Sequence, residues 1–342
     1  MQIHPNLANI AKVLVGLFFV YLLIAIFSAK NAMPDAYVEL RDVMSYAVLA
    51  VEMGGHAVKK IHEEQGLNIE EKGQTDVGKA ELLTTADLVS NHLMLGLLER
   101  FPGLTAITEE KAEDLPDKDV ERYREDNYAL WLEFHKILET LPSAKYPLHR
   151  INVWVDPLDA TQEYTEGLTQ YVTTMACVTI DGKAVFGAIY RPFDNETVLG
   201  LVDWGVYSTR SGKIDYSDFP PAPKKVMVSR SHAGKVKEFV KEALSDEYEI
   251  IPAGGAGYKI LNLINNTAEF YVHTTAIKKW DLCAADAIIR AAGGAMIDLE
   301  GSPISYWSTS DPISRNGLLT ARKGVYQAFN KLKPFLKPTG KQ

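Results

Sequence analysis

The chain of 342 residues carries a formal net charge of −8, with 46 % hydrophobic and 23 % charged residues, which is ordinary globular composition. That length accommodates one large domain or two closely packed ones around a substantial core. The acidic balance excludes nucleic acid as the main partner, because that needs a clustered basic face, but a few local cations and metal ions suffice for a small phosphorylated substrate.

From Val13 to Ala29 the run VLVGLFFVYLLIAIFSA carries no charge and is bracketed by Lys12 and Lys30. Its 17 residues, at about 1.5 Å each, span roughly 26 Å, enough for a thinner internal membrane. The segment 1–33 reads as a signal-anchor transmembrane helix with its linker. The alternative is a cleaved signal peptide, for which Phe27-Ser28-Ala29 supplies small residues. The flanking charges do not fix orientation. The sequons Asn195-Glu196-Thr197 and Asn265-Asn266-Thr267 suit a luminal body.

After Asn31–Pro34, apolar Val38, Val43, Ala47, Val51 and Val58 predict a helix from Asp35 to about His62. A second helix is expected from Ala86 to Arg100, stopped by Pro102-Gly103. The strand Leu104–Thr108 delivers Glu109 and Glu110, and residues 111–126, dense in both charges, read as a solvated excursion. Ile151–Val155 is a β-branched and aromatic strand ending at Asp156-Pro157. Tyr171–Ile180 and Lys183–Tyr190 flank Asp181-Gly182, a two-residue hairpin turn of type I′. Further strands are expected at Thr197–Val202 and Val206–Ser208. The two cysteines, Cys177 and Cys283, are too few for a disulfide framework, and Cys177 lies in an apolar strand. Two buried free thiols are expected.

Phe219–Pro223 is proline-rich and reads as a boundary. Beyond it strands (Val226–Val228, Glu249–Ile251, Phe270–Val272) alternate with helices (Gly234–Leu244, Ala256–Leu263, Asp281–Ala292). The expected fold is therefore an α/β (α+β) layered sandwich: an α+β part at 34–223 and an α/β part at 224–342.

The chemistry concentrates in W-V-D-P-L-D-A-T-Q-E-Y, residues 154–164. Asp156 ends an apolar strand and Asp159 follows, so two carboxylates converge with the Leu158 carbonyl between them. Hard cations such as Mg²⁺ need such oxygen clusters. The bland reading is a capped turn, with Asp159 or Thr161 capping the next helix. An aspartyl-phosphate motif, D-x-D-x-T, has one residue fewer between its aspartates. Glu109-Glu110 directly after a strand, Asp281 at a helix start and Asp87 at another each admit a surface or capping reading as well. Their joint occurrence favours a metal site.

The set I-T-E-E, W-V-D-P-L-D-A-T and W-D-L-C-A-A resembles the inositol monophosphatase superfamily of Mg²⁺-dependent, lithium-sensitive phosphatases. More narrowly, K-K-W-D-L-C, Q-E-Y-T-E-G, V-S-R-S-H and P-A-G-G-A-G-Y-K are similar to its members acting on 3′-phosphoadenosine 5′-phosphate. The apolar N-terminus with D-A-T-Q-E-Y-T resembles the Golgi-resident branch, a membrane protein with a luminal catalytic domain serving sulfation. The match runs from Asp35 to the C-terminus.

This resemblance implies an inositol-monophosphatase-like sandwich of five layers. Glu109, Asp156, the Leu158 carbonyl, Asp159 and Asp281 would hold about two or three Mg²⁺ ions. Asp87 and Thr161 would activate the attacking water. Ser229, Arg230, Ser231 and His232, with Gly255 and Lys259, would contact a nucleotide substrate. Gly254, Gly255 and Gly257 would let backbone approach the ribose or base, and Lys259 and Arg230 would grip the uncleaved phosphate. Ala160 stands where the wider family has glycine, so its turn is expected to avoid a glycine-only conformation. Ala285 replaces another family glycine, near the expected substrate face. The alternatives are an inositol or sugar phosphate phosphatase, or a non-catalytic binding protein on the same scaffold; no metal acid is lost.

Overall fold

The computed structural model describes residues 12, 14–22, 36–75, 78–111, 115–125, 128–141, 144–217, 219–231, 234–244 and 247–336. The chain comprises two compact units, Met1–Tyr37 and Val38–Gln342. In the first, residues 14–22 form helix α1 with exposed side chains, while the rest of the predicted anchor and the linker Asn31–Pro34 lie outside the described residues. Among the described residues, no helix is long and apolar enough to cross a membrane.

A short strand, β1 (Tyr37–Glu39), precedes α2 (Leu40–Glu63). Val43, Ala47, Val51 and Val58 of α2 are fully buried, as the apolar spacing requires. The antiparallel pair β2 (Glu70–Gln74) and β3 (Ala80–Leu83) leads to α3 (Thr85–Leu98), which packs on α2. Then come β4 (Thr105–Thr108), α4 (Asp117–Glu121), α5 (Tyr128–Glu139) and β5 (Lys145–Pro147). The charged stretch around α4 is not wholly solvated, since Val120 and Tyr123 are buried and tie it to the core.

Next in the chain are β6 (Ile151–Asp159), α6 (Thr161–Thr165), β7 (Thr173–Ile180), β8 (Lys183–Arg191), β9 (Glu196–Leu201), β10 (Gly205–Ser208) and β11 (Gly212–Ile214). They build a seven-stranded sheet in the order β11-β10-β9-β8-β7-β6-β4, antiparallel except for β4 beside β6. Asp181 and Gly182 both have positive φ, 50° and 70°, as a type I′ turn demands. Contrary to expectation, β6 runs on through Pro157 to Asp159. Its pairing with β7 slips between Asp156 and Asp159, and the Pro157 carbonyl accepts a hydrogen bond from Ser90 Oγ at 2.7 Å. The irregularity absorbs the proline's missing donor.

The second half contains β12 (Lys225–Ser229), α7 (Val236–Leu244), β13 (Glu249–Ala253), α8 (Ala256–Ile264), β14 (Phe270–His273), β15 (Ile277–Lys278) and α9 (Lys279–Ala291). It ends with β16 (Ala295–Ile297), β17 (Ile313–Ser314), β18 (Leu318–Ala321) and α10 (Val325–Leu332). Its five-stranded sheet is ordered β13-β12-β14-β18-β16, with β13, β12 and β14 parallel.

Alternation along the strands sets the layers. Ile151, Val153 and Val155 of β6 face the core made with α2 and α3, whereas Trp154 faces the core made with α8 and α9. Met227, Tyr271 and Leu318 close that middle core from the second sheet, whose other face packs α7 and α10. The result is five layers: helices, sheet, helices, sheet, helices.

The cysteines overturn the free-thiol expectation. Cys177 of β7 and Cys283 of α9 form a disulfide, with Cα atoms 5.6 Å apart and a sequence separation of 106. Gly187, paired with Cys177 across the sheet, makes this approach possible: a side chain there would collide with the Ala284 backbone. The helix therefore lies flush on the strands. Closing a loop of this length is worth about 4–5 kcal/mol in the chain-entropy account.

Candidate active site

The acids predicted from sequence arrive from separate elements. Parallel pairing of β4 with β6 carries Glu109, at the end of β4, alongside Asp156. Asp281 sits in the first turn of α9, where the N-cap is Lys278; its carboxylate accepts from the Lys278 backbone N–H and also borders the cleft. Glu109, Asp156 and Asp281 offer carboxylate oxygens all within 4.8 Å of one another. Asp159 is outside this trio but borders the same cleft of about 270 Å³, as do Leu158 and Thr161.

Burial pushes the pKa of Asp156 and Asp281 well above the usual carboxylate range, and the nearby charges of Glu109 and Asp159 add to it. Such a knot of mutually repelling carboxylates, with Asp156 buried and Glu109 and Asp281 half-buried, is short of positive charge. Hard oxygen donors without thiolate or imidazole fit a hard divalent cation.

Lys72 is a member of the site that no sequence motif announced. Its Nζ donates to Glu109 Oε1 at 2.8 Å and also to Glu110. Burial opposes its charge, yet these two carboxylates prevail and hold its pKa above the ordinary lysine value. Only the β2–β3 hairpin brings it there. Asn91, which accepts from Thr108 Oγ1 at 2.5 Å and donates to the Glu110 carbonyl at 3.3 Å, fixes the chain around Glu109.

Asp87 combines the capping and the chemical reading. Its Oδ2 accepts from Thr84 N at 2.7 Å and from Thr84 Oγ1 at 2.6 Å, completing a capping box on α3. Its Oδ1 accepts from Thr161 Oγ1 at 3.2 Å. Fully buried, Asp87 has its pKa pushed up to about 7, chiefly by desolvation. Thr161 Oγ1 also lies 3.1 Å from the Leu158 carbonyl. Between them Ala160 adopts φ 73°, ψ 42°. The turn thus keeps the left-handed conformation it was expected to avoid, and alanine bears it.

The predicted nucleotide segment behaves differently. Ser229, Ser231, Gly255 and Lys259 line the cleft. Arg230 turns aside, with ion pairs to Glu163 at 3.3 Å and Glu166 at 2.6 Å, and lines a neighbouring hollow. His232 lies outside the described residues. Lys259 is buried, and its Nζ donates to the carbonyls of Ala253, at 3.3 Å, and Gly255. Burial lowers its pKa to about 8 against the pull of Asp159, Glu163 and Asp281.

A side chain at any of the three glycines expected beside a ribose would collide with the protein itself. A Cβ on Gly255 would lie 2.9 Å from Asp159 Oδ2, and one on Gly254 or Gly257 would strike Glu163 or Thr173. Gly257 N donates to Asp159 Oδ2 at 2.8 Å, and Thr173 Oγ1 reaches it at 3.2 Å. The start of α8 therefore grips Asp159. Ala285, expected near the substrate face, is fully buried in the middle core.

The sequence profile described as the inositol monophosphatase family matches residues 39–333. "Inositol monophosphatase 3" of Danio rerio is 42 % identical over 307 residues, covering 87 % of this chain and 85 % of that protein. The "Golgi-resident adenosine 3',5'-bisphosphate 3'-phosphatase" of Rattus norvegicus is 40 % identical over 325 residues, covering 92 % and 86 %. Among solved structures, the extragenic suppressor protein suhB from Bartonella henselae superposes with a TM-score of 0.63 at 18 % identity, covering 87 % of this chain and 99 % of its own. That likeness speaks to the layered fold alone.

Proposed function

This chain belongs to the inositol monophosphatase family, and on that premise we propose that it is a Mg²⁺-dependent phosphomonoesterase hydrolysing 3′-phosphoadenosine 5′-phosphate to AMP and phosphate. The observation that carries the reading is the Thr161–Asp87 hydrogen bond beside the Glu109, Asp156 and Asp281 oxygens. Bound by these three with Asp159 and the Leu158 carbonyl, about two or three Mg²⁺ ions would supply charge neutralisation and a water of lowered pKa.

The rest falls to the side chains. Asp87, clamped by Thr84 on one oxygen, accepts the Thr161 hydrogen bond with the other. The threonine oxygen then presents its lone pairs to a water and aims it at phosphorus. A proton passes from water through Thr161 to Asp87 as the new P–O bond forms. The bond to the 3′ oxygen breaks, and that oxygen takes a proton from solvent. A threonine alone is a poor base; its carboxylate partner makes the relay work.

The nucleotide assignment draws on the 40 % identity to the Golgi-resident bisphosphate phosphatase over 92 % of this chain, with Ser229 and Ser231 bordering the cleft. Inositol or sugar phosphate is the second reading, favoured by the inositol monophosphatase 3 relative. Phosphate release from a panel of nucleotide, inositol and sugar phosphates decides between them. The bisphosphate should show the highest kcat/KM, and equal turnover of inositol monophosphate would refute the assignment.

The same relative suggests the Golgi, with Val13–Ala29 as anchor and the catalytic body in the lumen. A buried disulfide suits an oxidising compartment, and the sequon residues Asn195 and Asn265 are exposed. After carbonate extraction the protein should stay with the membrane. Digestion of the body by external protease in intact vesicles would reverse the topology.

A further inference from the structure

We propose that the Cys177–Cys283 disulfide is a positioning device for the metal centre, setting how closely Asp281 stands to Asp156. This rests on the metal-site reading above. The bridge joins the two elements that deliver those carboxylates. On one side, Cys283 is two residues beyond Asp281, within the first turns of α9. On the other, Cys177 pairs across the ladder with Trp154, and Met175, two residues earlier on β7, pairs with Asp156.

The hydrogen bonds described for these two acids come from their own elements. Their carboxylate oxygens lie within 4.8 Å of one another, where like charges repel. Asp281 is tied to its own helix start, where the Lys278 backbone N–H donates to its carboxylate, and Asp156 to its own turn, where Leu158 N donates to Oδ1 at 3.1 Å; neither bond joins one acid's element to the other's. Asp159, by contrast, is fastened across elements by Gly257 and Thr173. The tie between the start of α9 and the sheet lies behind the site. Cys283 is bonded to β7, and the Ala284 backbone rests on Gly187, the strand neighbour of Cys177. Cys177, Cys283 and Ala284 are essentially inaccessible to solvent, so this anchorage contributes nothing to the cleft surface. It acts on the separation of the carboxylates. A covalent tie costs no ordering entropy when cations bind, because the spacing is set in advance.

The test separates positioning from bulk stability. Mn²⁺, whose binding is read directly by electron paramagnetic resonance, is titrated into wild-type protein, Cys177→Ala/Cys283→Ala and the volume-restoring Cys177→Val/Cys283→Ala. Phe329→Ala, on α10 in the outermost layer, serves as a control that lowers Tm without approaching the site. Both cysteine variants should bind Mn²⁺ about tenfold more weakly, with kcat at saturating metal largely retained. Phe329→Ala should bind as wild type. If the cysteine variants lose Tm but keep wild-type Mn²⁺ affinity, the disulfide is structural only and the proposal fails. If Phe329→Ala weakens binding equally, affinity follows stability and the proposal also fails. Absence of Mn²⁺ binding to wild-type protein would instead overturn the metal centre. Should neither variant fold, wild-type protein is reduced by a water-soluble phosphine, which with water yields two thiols and the phosphine oxide. The same titration then applies, and unchanged affinity again refutes the proposal.

Discussion

The carboxylate cluster and the glycine-rich segment Gly254–Lys259 lie on one cleft but are organised oppositely. The acids converge from the ends of β4 and β6 and the start of α9, aimed at a common point and repelling one another. The glycine-rich segment spends most of its polar groups on the protein: Gly257 N on Asp159, Lys259 on two carbonyls. On the proposed reading the first region receives the metal ions and the second largely supports the first. A residue bordering a cleft is not thereby a substrate contact, and the hydrogen bonds it already makes decide which it is.

The largest expected effect comes from breaking the first region. Asp156→Asn should lower kcat by about 10⁴-fold or more in excess Mg²⁺, because the cluster loses a central ligand. The same substitution should raise the Tm of the metal-free protein. The folded-state pKa of Asp156 is raised, so its ionised form costs stability as pH climbs above the ordinary carboxylate range. The Tm gain should be widest at neutral pH and vanish towards about pH 4. A metal-free variant melting lower than wild type would contradict this account of the cluster.

Next is the relay. Thr161→Ala should reduce kcat by about 10²–10³ while Mn²⁺ binding survives. With Asp87 held near a pKa of about 7 by burial, wild-type kcat should rise with pH through that region as the base form accumulates. That limb should disappear in Thr161→Ala. An unchanged pH profile in the variant would remove Asp87 from proton transfer.

Much of this was legible in sequence because each acid closes an apolar strand or opens a helix, and such ends point into a cleft. The placement of Glu109, Asp156, Asp159 and Asp281 around one cleft follows from that logic, whereas the pairing of Asp87 with Thr161 came from the family resemblance. Lys72 was illegible because a hairpin, not a motif, brings it to Glu109. The Cys177–Cys283 bridge was illegible because pairing 106 residues apart depends on how flush α9 lies on the sheet. The course of β6 beyond Pro157 misled for a similar reason: local proline chemistry predicts a stop, but Ser90 and a slipped register sustain the strand. Tertiary contacts decided each case.

A smaller effect tests the second region. Lys259→Met keeps the length of the side chain and removes its charge. If Lys259 chiefly balances Asp159, Glu163 and Asp281, kcat/KM should fall about tenfold on every substrate alike. A loss confined to the 3′,5′-bisphosphate would return Lys259 to the substrate's remote phosphate and erase the contrast between the two regions.

The smallest expected effect lies where the regions meet. Ala160 joins Asp159 to Thr161 and holds φ at 73°, a conformation that costs a residue with a Cβ roughly 1–2 kcal/mol. Ala160→Gly removes that cost but gives the unfolded chain more freedom, worth about 0.4–1 kcal/mol in the other direction. The balance is a gain of about 0.5–1 kcal/mol, or one to a few degrees in Tm for a chain of this size. The neighbours on each side are pinned independently: Asp159 by Gly257 and Thr173, Thr161 by Asp87 and the Leu158 carbonyl. Relaxing the residue between them should therefore leave kcat and Mn²⁺ affinity unchanged. A stabilised variant with lowered kcat would show that the strained alanine, rather than those hydrogen bonds, sets the angle between metal ligand and relay.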